Sequence, residues 1–173
     1  MPVVMKVRLN SLKEGAQTIE FTLSKGDLAI TDTCFRQPIF AKLNIYKGAH
    51  QITVKGKLNT NLNLECDRCL EPYKLNLEAN FQSILSPIKS LSSDIDENII
   101  PITPQTSEVD LKPFARDALF IEIPMKKICS ESCKGICPGC GKNLNIDTCR
   151  CENKKTDDRW KPLENLLTNI AED

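Results

Sequence analysis

The sequence predicts an α+β fold, in which an antiparallel β-meander with one or two helices is followed by a C-terminal cysteine-rich zinc module. Two observations lead to this class. Apolar and polar residues alternate over 52–66 and again over 73–81, a period of two that is typical of strands with one buried face. Six of the nine cysteines fall within 129–151, and such clustering in a reducing compartment indicates metal ligands.

The same alternation extends to segments upstream of this hairpin. Residues 39–45 carry it, and a turn at 47–50 leads into the strand at 52–66, which predicts a three-stranded meander. Residues 5–9 and 19–23 alternate as well, so we expect two further strands near the N-terminus.

One helix is predicted at about 108–123 because its apolar residues fall on a single face. These residues are Leu111, Phe114, Ala115, Ala118 and Leu119. Ser107 or Asp110 can cap the N-terminus of this helix, and Pro124 sets its latest possible end.

The polar stretch 86–108 is expected to connect hairpin and helix, with at most one short strand at 98–102. A second helix is expected from 157 onward, with Asp158 as its N-cap and Trp160 in its apolar stripe. The predicted domains are therefore a β-sheet domain with one helix (1–124), a zinc-binding module (125–156) and a C-terminal helix (157–173).

Composition narrows the functional class. The 173 residues include 23 Lys and Arg against 23 Asp and Glu, which argues against a uniformly basic nucleic-acid-binding chain and against an acidic disordered one. No apolar run approaches the 18 or so residues of a membrane span. The first residues also lack the pattern of a signal peptide, so we expect a cytoplasmic protein that does not bind a membrane.

The cysteine spacing predicts zinc. Two residues separate Cys66 from Cys69 and Cys137 from Cys140, which lets both thiolates of a pair reach one ion at about 2.3 Å. The first pair lies at a hairpin tip, the geometry of a zinc knuckle, and Gly141 permits the left-handed turn of a second knuckle. The ligand sets that we favour are Cys66, Cys69, Cys129 and Cys133, and Cys137, Cys140, Cys149 and Cys151.

Other interpretations of the cysteines stay open at this stage. The sets can interleave, one zinc ion can be present instead of two, and disulfides, an iron–sulfur cluster or free thiols remain alternatives. Cys34 has no partner by spacing, and we expect it to be a small buried apolar residue.

Catalysis finds little support in the sequence. The single histidine, His50, lies in a predicted turn, and no P-loop, nucleophile elbow or dinucleotide fingerprint occurs. Zinc sites made only of cysteine are closed and therefore structural, so we expect neither an enzyme nor a small-molecule substrate. The alternative is a cytosolic thiol-disulfide oxidoreductase that uses Cys66 and Cys69, although such a pair normally starts a helix.

Four blocks of the sequence resemble the bacterial YceD family. They are 64–72 (LECDRCLEP), 109–126, the cysteine-rich run 129–145, and 158–163. Their order and spacing match that family over roughly 40–168. The resemblance implies a ribosome-biogenesis role in the accumulation of large-subunit (23S) ribosomal RNA. Some members lack the Cys-Pro-x-Cys-Gly pair, which implies that the two metal sites are separable.

The resemblance leaves the partner open between large-subunit rRNA and a ribosomal or assembly protein. Basic residues around the cysteines are candidates for these contacts, the lysines and Arg159 with rRNA phosphates and Arg68 and Arg159 with a protein. They are Arg68, Lys134, Lys142, Lys154, Lys155 and Arg159. Because aromatic residues make up only 5% of the chain, we do not expect bases to stack on an aromatic-rich sheet.

Overall fold

The computed structural model describes residues 5–87, 99–151 and 159. Within these residues the chain forms mostly strands, with one α-helix and a short 3-10 turn at Leu9–Ser11. The strands are β1 (Lys6–Arg8), β2 (Gly15–Leu23), β3 (Ile39–Lys47), β4 (Ile52–Glu65), β5 (Pro72–Ser86), β6 (Ile99–Pro101) and β7 (Glu108–Asp110). The helix α1 spans Lys112–Ile121. The expected second helix, from 157 onward, lies outside the described residues except for Arg159.

A five-stranded sheet in the order β2-β3-β4-β5-β6 is the main element. Strands β2 to β5 pair antiparallel, and every residue of β4 has a partner on β5, from Ile52 opposite Leu85 to Glu65 opposite Pro72. The predicted meander and its hairpin are therefore confirmed. The alternation of apolar and polar residues explains the register of the strands, because shifting one strand by one residue against its partner would turn its apolar side chains toward water.

The sequence predicted an antiparallel sheet, but the sheet is mixed. Strand β6 pairs in parallel with the end of β5, with Ile84 opposite Ile99 and Ser86 opposite Pro101. Strands β1 and β7 form a separate two-stranded antiparallel sheet in which Val7 lies opposite Val109. Three-residue strands carry too little alternation to reveal a partner or a direction in the sequence.

The helix begins later than the predicted residue 108, because Glu108–Asp110 belongs to β7. Asp110 does contribute at the start, since its Oδ1 accepts the backbone N–H of Lys112 at 2.9 Å. Ser107 does not cap the helix; its carbonyl accepts the backbone N–H of Leu9. Pro113 lies in the first turn, where its missing N–H has no helical acceptor to lose.

The core lies between the inner face of the sheet and α1, which packs on β4 and β5. Ala115, Ala118 and Leu119 supply the buried face of the helix. Phe114 stacks on Phe81 of β5 with ring centroids 6.5 Å apart.

The backbone divides into two compact units. The first comprises Met1–Asp67 and Glu71–Glu131, and the second comprises Arg68–Leu70 and Ser132–Asp173. The sheets and the helix belong to the first unit, and the second contains the knuckle around Cys137. No helix among the described residues is long and apolar enough to cross a membrane.

A substitution at Gly56 tests how tightly the inner face is packed. A Cβ there would lie 2.1 Å from Cε1 of Phe81, whose ring is held by Phe114. We expect Gly56→Ala to lower the free energy of unfolding by about 1–3 kcal/mol, measured by urea denaturation. The control is Gly26→Ala, where the nearest atom would lie at 3.7 Å and a change within about 0.5 kcal/mol is expected. Equal stability of the two variants would contradict this packing.

Candidate metal centres

The β4–β5 hairpin positions the first cysteine pair. Strand β4 ends at Glu65, and the backbone N–H of Cys66 donates to the carbonyl of Glu71 at 3.0 Å, which closes the turn. Leu70 has a φ of 60°, in the left-handed region that non-glycine residues rarely adopt. Cys66 and Cys69 are both buried. The turn thus presents two buried thiols at the end of the longest pair of strands described.

Four sulfur atoms come together as the first tetrad: Cys66, Cys69, Cys129 and Cys133, all within 4.8 Å of one another. The backbone N–H of Cys129 points to Sγ of Cys66 at 3.4 Å. The side-chain Nδ2 of Asn145 lies 3.4 Å from Sγ of Cys133. Donors aimed at sulfur stabilise thiolates and orient them, as the groups around a metal–thiolate site do.

Asp67 and Lys127 are joined by a reciprocal pair of hydrogen bonds. The N–H of Asp67 donates to the carbonyl of Lys127, and the N–H of Lys127 donates to Oδ2 of Asp67, both at 2.7 Å. Because each residue is close in sequence to a cysteine of the first tetrad, this pair fixes the separation of Cys66 and Cys129. The sequence analysis assigned no role to Asp67.

The second tetrad comprises Cys137, Cys140, Cys149 and Cys151, whose sulfurs also lie within 4.8 Å of one another. Sγ of Cys149 lies 3.2 Å from that of Cys137 and 3.7 Å from that of Cys140. The expected knuckle turn is present, because Gly141 has a φ of 72° and its N–H donates to the carbonyl of Cys137 at 2.9 Å. The eight cysteines thus group in the two sets that the sequence favoured.

Backbone N–H groups also point at the sulfurs of the second tetrad. Gly139 donates to Sγ of Cys137 at 3.4 Å, and Cys151 donates to Sγ of Cys149 at 3.2 Å. The backbone N–H of Cys140, with help from the Cys149 thiol and from Gly139, lowers the pKa of Cys137 to about 6. Hydrogen bonding with Cys149 raises the pKa of Cys151 to about 12. Thiols this close cannot all ionise unless a cation balances their charge.

The tetrads differ in exposure. Cys66, Cys69 and Cys133 of the first are buried and Cys129 is exposed, whereas only Cys137 of the second is buried. Solvent therefore reaches the second tetrad more readily than the first.

Asn145 is a site residue that the sequence analysis missed. Besides contacting Sγ of Cys133, its Oδ1 accepts the backbone N–H of Lys134 at 2.8 Å. Its own N–H and Nδ2 both donate to Oδ1 of Asn143. The sequence did carry a signal, because Asn143 and Asn145 follow Gly141 by two and four residues and Asn side chains bond local backbone in turns.

The candidate partner-binding residues have different surroundings. Arg68 is occupied within the second unit, where Nη1 donates to the carbonyl of Cys133 at 3.0 Å. Lys134, Lys142 and Arg159 are exposed. Lys154 and Lys155 lie outside the described residues.

Cys34 and His50 are the cysteine and the histidine that lie outside the two tetrads. Cys34 is half-buried against the core, and burial, followed by a hydrogen bond with Asp32, raises the pKa of its thiol to about 11. It belongs to neither tetrad. His50 is exposed in the turn before β4.

The fold and these sites define a class: a β-sheet protein with two clusters of four cysteines, each of which can hold a metal ion. The sequence model of the family described as "Large ribosomal RNA subunit accumulation protein YceD" matches residues 54–167. The chain belongs to this family, as its motifs had indicated.

Curated relatives carry the same description. The chloroplastic YCED homolog 1 of Arabidopsis thaliana, a "Large ribosomal RNA subunit accumulation protein", is 26% identical over 161 residues, which is 78% of this chain and 50% of that protein. The Zea mays homolog is 25% identical over 172 residues, 83% of this chain and 59% of its own. The Haemophilus influenzae YceD is 34% identical over 87 residues, 48% of this chain and 49% of its own.

The chain therefore spans between about half and three-fifths of the length of these relatives. No solved structure matches it.

Two glycines with the same backbone conformation test the knuckle geometry. Gly135 and Gly141 have φ of 74° and 72°, but a Cβ on Gly135 would lie 3.0 Å from the Arg68 carbonyl oxygen, while one on Gly141 would meet nothing within 4 Å. Alanine at Gly141 should cost only the left-handed strain of about 1–2 kcal/mol. Alanine at Gly135 should cost about 1–3 kcal/mol more because the backbone must shift.

The measurement is hydrogen exchange of the Cys137 amide, which bonds the carbonyl of Lys142 at 2.8 Å and reports local opening. Gly135→Ala should speed this exchange more than Gly141→Ala. Equal acceleration in both variants would show that the Arg68 contact does not constrain the turn.

Proposed function

We propose that the protein is a ribosome-biogenesis factor that supports synthesis, processing or stability of large-subunit (23S) rRNA. In this proposal it acts in the cytoplasm as a non-enzymatic binding protein stabilised by zinc. The observation that carries the proposal is the family match over 54–167, which includes all eight tetrad cysteines.

Zinc is the metal that the donor sets fit best. Four thiolates at about 2.3 Å from Zn²⁺ in a tetrahedron lie about 3.8 Å apart, and the sulfur of Cys149 lies 3.7 Å from that of Cys140 and 3.2 Å from that of Cys137. The backbone N–H groups of Cys129, Gly139 and Cys151, which donate to cysteine sulfurs, match the outer shell of such a site. A set of four cysteines leaves no open position for a substrate, so a stabilising role follows.

The alternative, a thiol-disulfide oxidoreductase, is less well supported. Redox-active Cys-x-x-Cys pairs gain reactivity from a helix N-terminus, whereas Cys66 and Cys69 lie in a turn between β4 and β5. The sulfurs of Cys66 and Cys69 also lie close to those of Cys129 and Cys133, and a metal bound by the four would hold them as thiolates.

The proposed partners are large-subunit rRNA, a ribosomal or assembly protein, or a surface made of both. Lys134, Lys142 and Arg159 are exposed and remain candidates to contact them, and we keep Lys154 and Lys155 as candidates from the sequence. Arg68 is better assigned to holding the turn, because its guanidinium bonds the carbonyl of Cys133.

Metal content is the direct test of zinc. Protein purified under reducing conditions without added metal should contain about two zinc ions per chain by elemental analysis. Replacing Cys137 and Cys140 by Ser should remove about one, because the first tetrad shares no cysteine with the second. Cys34→Ser is the matched control and should keep both. Absence of zinc from the unmodified protein would contradict the assignment.

Ribosome profiles test the biological role. Deleting the gene should lower the ratio of large to small ribosomal subunits on a sucrose gradient, and the unmodified gene should restore it. The oxidoreductase alternative instead expects metal-free protein to reduce a disulfide substrate and Cys66→Ser to abolish that activity. A normal profile in the deletion strain would refute the proposed function.

A further inference from the structure

The second face of the main sheet is open to solvent. On β2 to β5 the core-facing side chains are at odd positions of β2, β3 and β5 and at even positions of β4, and the remaining side chains form the outer face. No described element packs on this outer face, whereas α1 covers the inner one. The composition of the outer face is unusual in three respects.

Three lysines are crowded at its centre. Lys42 on β3 lies directly opposite Lys57 on β4, and Lys55, two residues before Lys57 on the same strand, is the diagonal neighbour of Lys42. Like charges directly opposite each other destabilise a sheet. Lys42 bonds Glu20 and Lys57 bonds Glu78, but the side chains of these pairs are half exposed or more and the pairs are weak, and Lys55 forms no ion pair among the described residues. The centre of the face is therefore a cationic stripe of three lysines against two glutamates, whose net positive charge is suited to an anionic ligand.

Asparagine is concentrated on the same face, although it is depleted in strands generally. Six asparagines point outward: Asn44, Asn59, Asn61, Asn63, Asn76 and Asn80. The amide side chain offers both donors and an acceptor, which matches the edges of nucleobases. Their number on one sheet face has no explanation in packing, because they contribute nothing to the core.

Two aromatic rings flank the cationic stripe. Phe40 and Tyr46 are 57% and 59% exposed and lie near the two ends of β3, on the same row as Lys42 and Asn44. Six residues of strand separate them by about 20 Å. Tyr46 faces only small neighbours across the strands, Ala16 and Thr53, so its ring is accessible.

Shallow depressions lie on either side of Lys55. One is lined by Asn44, Lys57, Asn80 and Gln82 together with Lys55, and the other by Thr18, Asn44, Tyr46 and Thr53 together with Lys55. Lys55 and Asn44 are common to both. A flexible strand that crosses the sheet here would meet a cation between two recesses in which polar side chains stand among apolar ones, Phe81 in the first recess and Ala16 and Ile45 in the second.

We propose that the outer face of β2 to β5 binds single-stranded RNA, with bases stacked on Phe40 and Tyr46 and phosphates on the lysine stripe. An open antiparallel sheet that carries exposed aromatics, amides and cations has the chemistry for unpaired bases. A duplex, whose bases are already stacked, cannot use the rings. The inference rests on the proposed function, because it names the surface through which the protein would contact rRNA.

This inference revises the expectation from composition. An aromatic content of 5% argued against stacking on a sheet, but the content does not say where the rings lie. Two exposed rings on one strand are sufficient for a stacking surface.

The test uses the full, metal-loaded chain and fluorescence anisotropy. The probe is a labelled single-stranded RNA of mixed sequence, about 12 nucleotides long, within the site sizes usual for such surfaces. The comparison probe is the same RNA annealed to its complement. We expect tighter binding of the single strand, with affinity falling as salt rises from about 50 to 200 mM.

Replacing both Phe40 and Tyr46 by Ala should weaken single-strand binding by roughly 5- to 100-fold per ring. The matched control replaces Ile121 and Met125 by Ala, which are 80% and 99% exposed away from the face, and should change affinity less than about twofold. Lys55→Gln should reduce the slope of log affinity against log salt by about 0.7. Lys13→Gln, exposed outside the sheet, should leave that slope unchanged.

Complementation separates this inference from the proposed function. If deletion lowers the large-subunit ratio and the Phe40→Ala, Tyr46→Ala double variant fails to restore it, while also losing RNA affinity, the inference is supported. If that double variant restores the profile fully, or binds the single strand as the unmodified chain does, the inference is overturned although the proposed function stands. If the double variant binds the single strand as the unmodified chain does but fails to restore the profile, the result would indicate that a protein binds this face.

Discussion

The pairing of β4 with β5 is the constraint on which the rest of the structure depends. Fourteen residues of β4 are paired without a break, and side chains alternate between the two faces along the whole length. Register is fixed because a slip by one residue would expose Leu58 and Leu62, both fully buried, and bury lysines instead. A fixed register in turn fixes where the hairpin ends, and therefore where Cys66 begins the turn.

The metal binding that we propose at the tetrads would be coupled to folding. The sulfur atoms converge through short turns and N–H···S contacts, but four thiolates repel one another and need a dication to remain together. Binding free energy at such a site is folding free energy. The first tetrad is mostly buried, so its thiolates are largely shielded from solvent, whereas the second is more open and its local turn depends on glycines at 135 and 141.

The long alternating strands and the grouping of the cysteines were predictable, because alternation and Cys-x-x-Cys spacing are local signals that survive folding. The family was confirmed on the same motifs. The parallel pairing of β6 and the pairing of β1 with β7 were not predictable, since three residues encode neither direction nor partner. The start of α1 was placed too early for the same reason, because Glu108–Asp110 is drawn into a strand by Lys6–Arg8. Asp67 was missed because its role depends on Lys127, which only the fold brings close. The asparagines after Gly141 indicated a turn, but not the contact of Asn145 with Cys133, which also depends on the fold.

The inner face of the sheet follows the usual residue preferences of strands, whereas the outer face departs from them. The inner face is apolar, with Leu43, Val54 and Leu58 at or near complete burial, and supplies the free energy that keeps the strands in register. The outer face places Lys42 against Lys57 and fills strands with asparagine, choices that weaken a sheet. Such departures concentrate where a surface serves binding, since stability alone would favour β-branched residues and opposite charges there. The inner face can tolerate this cost because its register does not depend on the outer side chains, so the outer face can carry the residues that the proposed RNA binding requires.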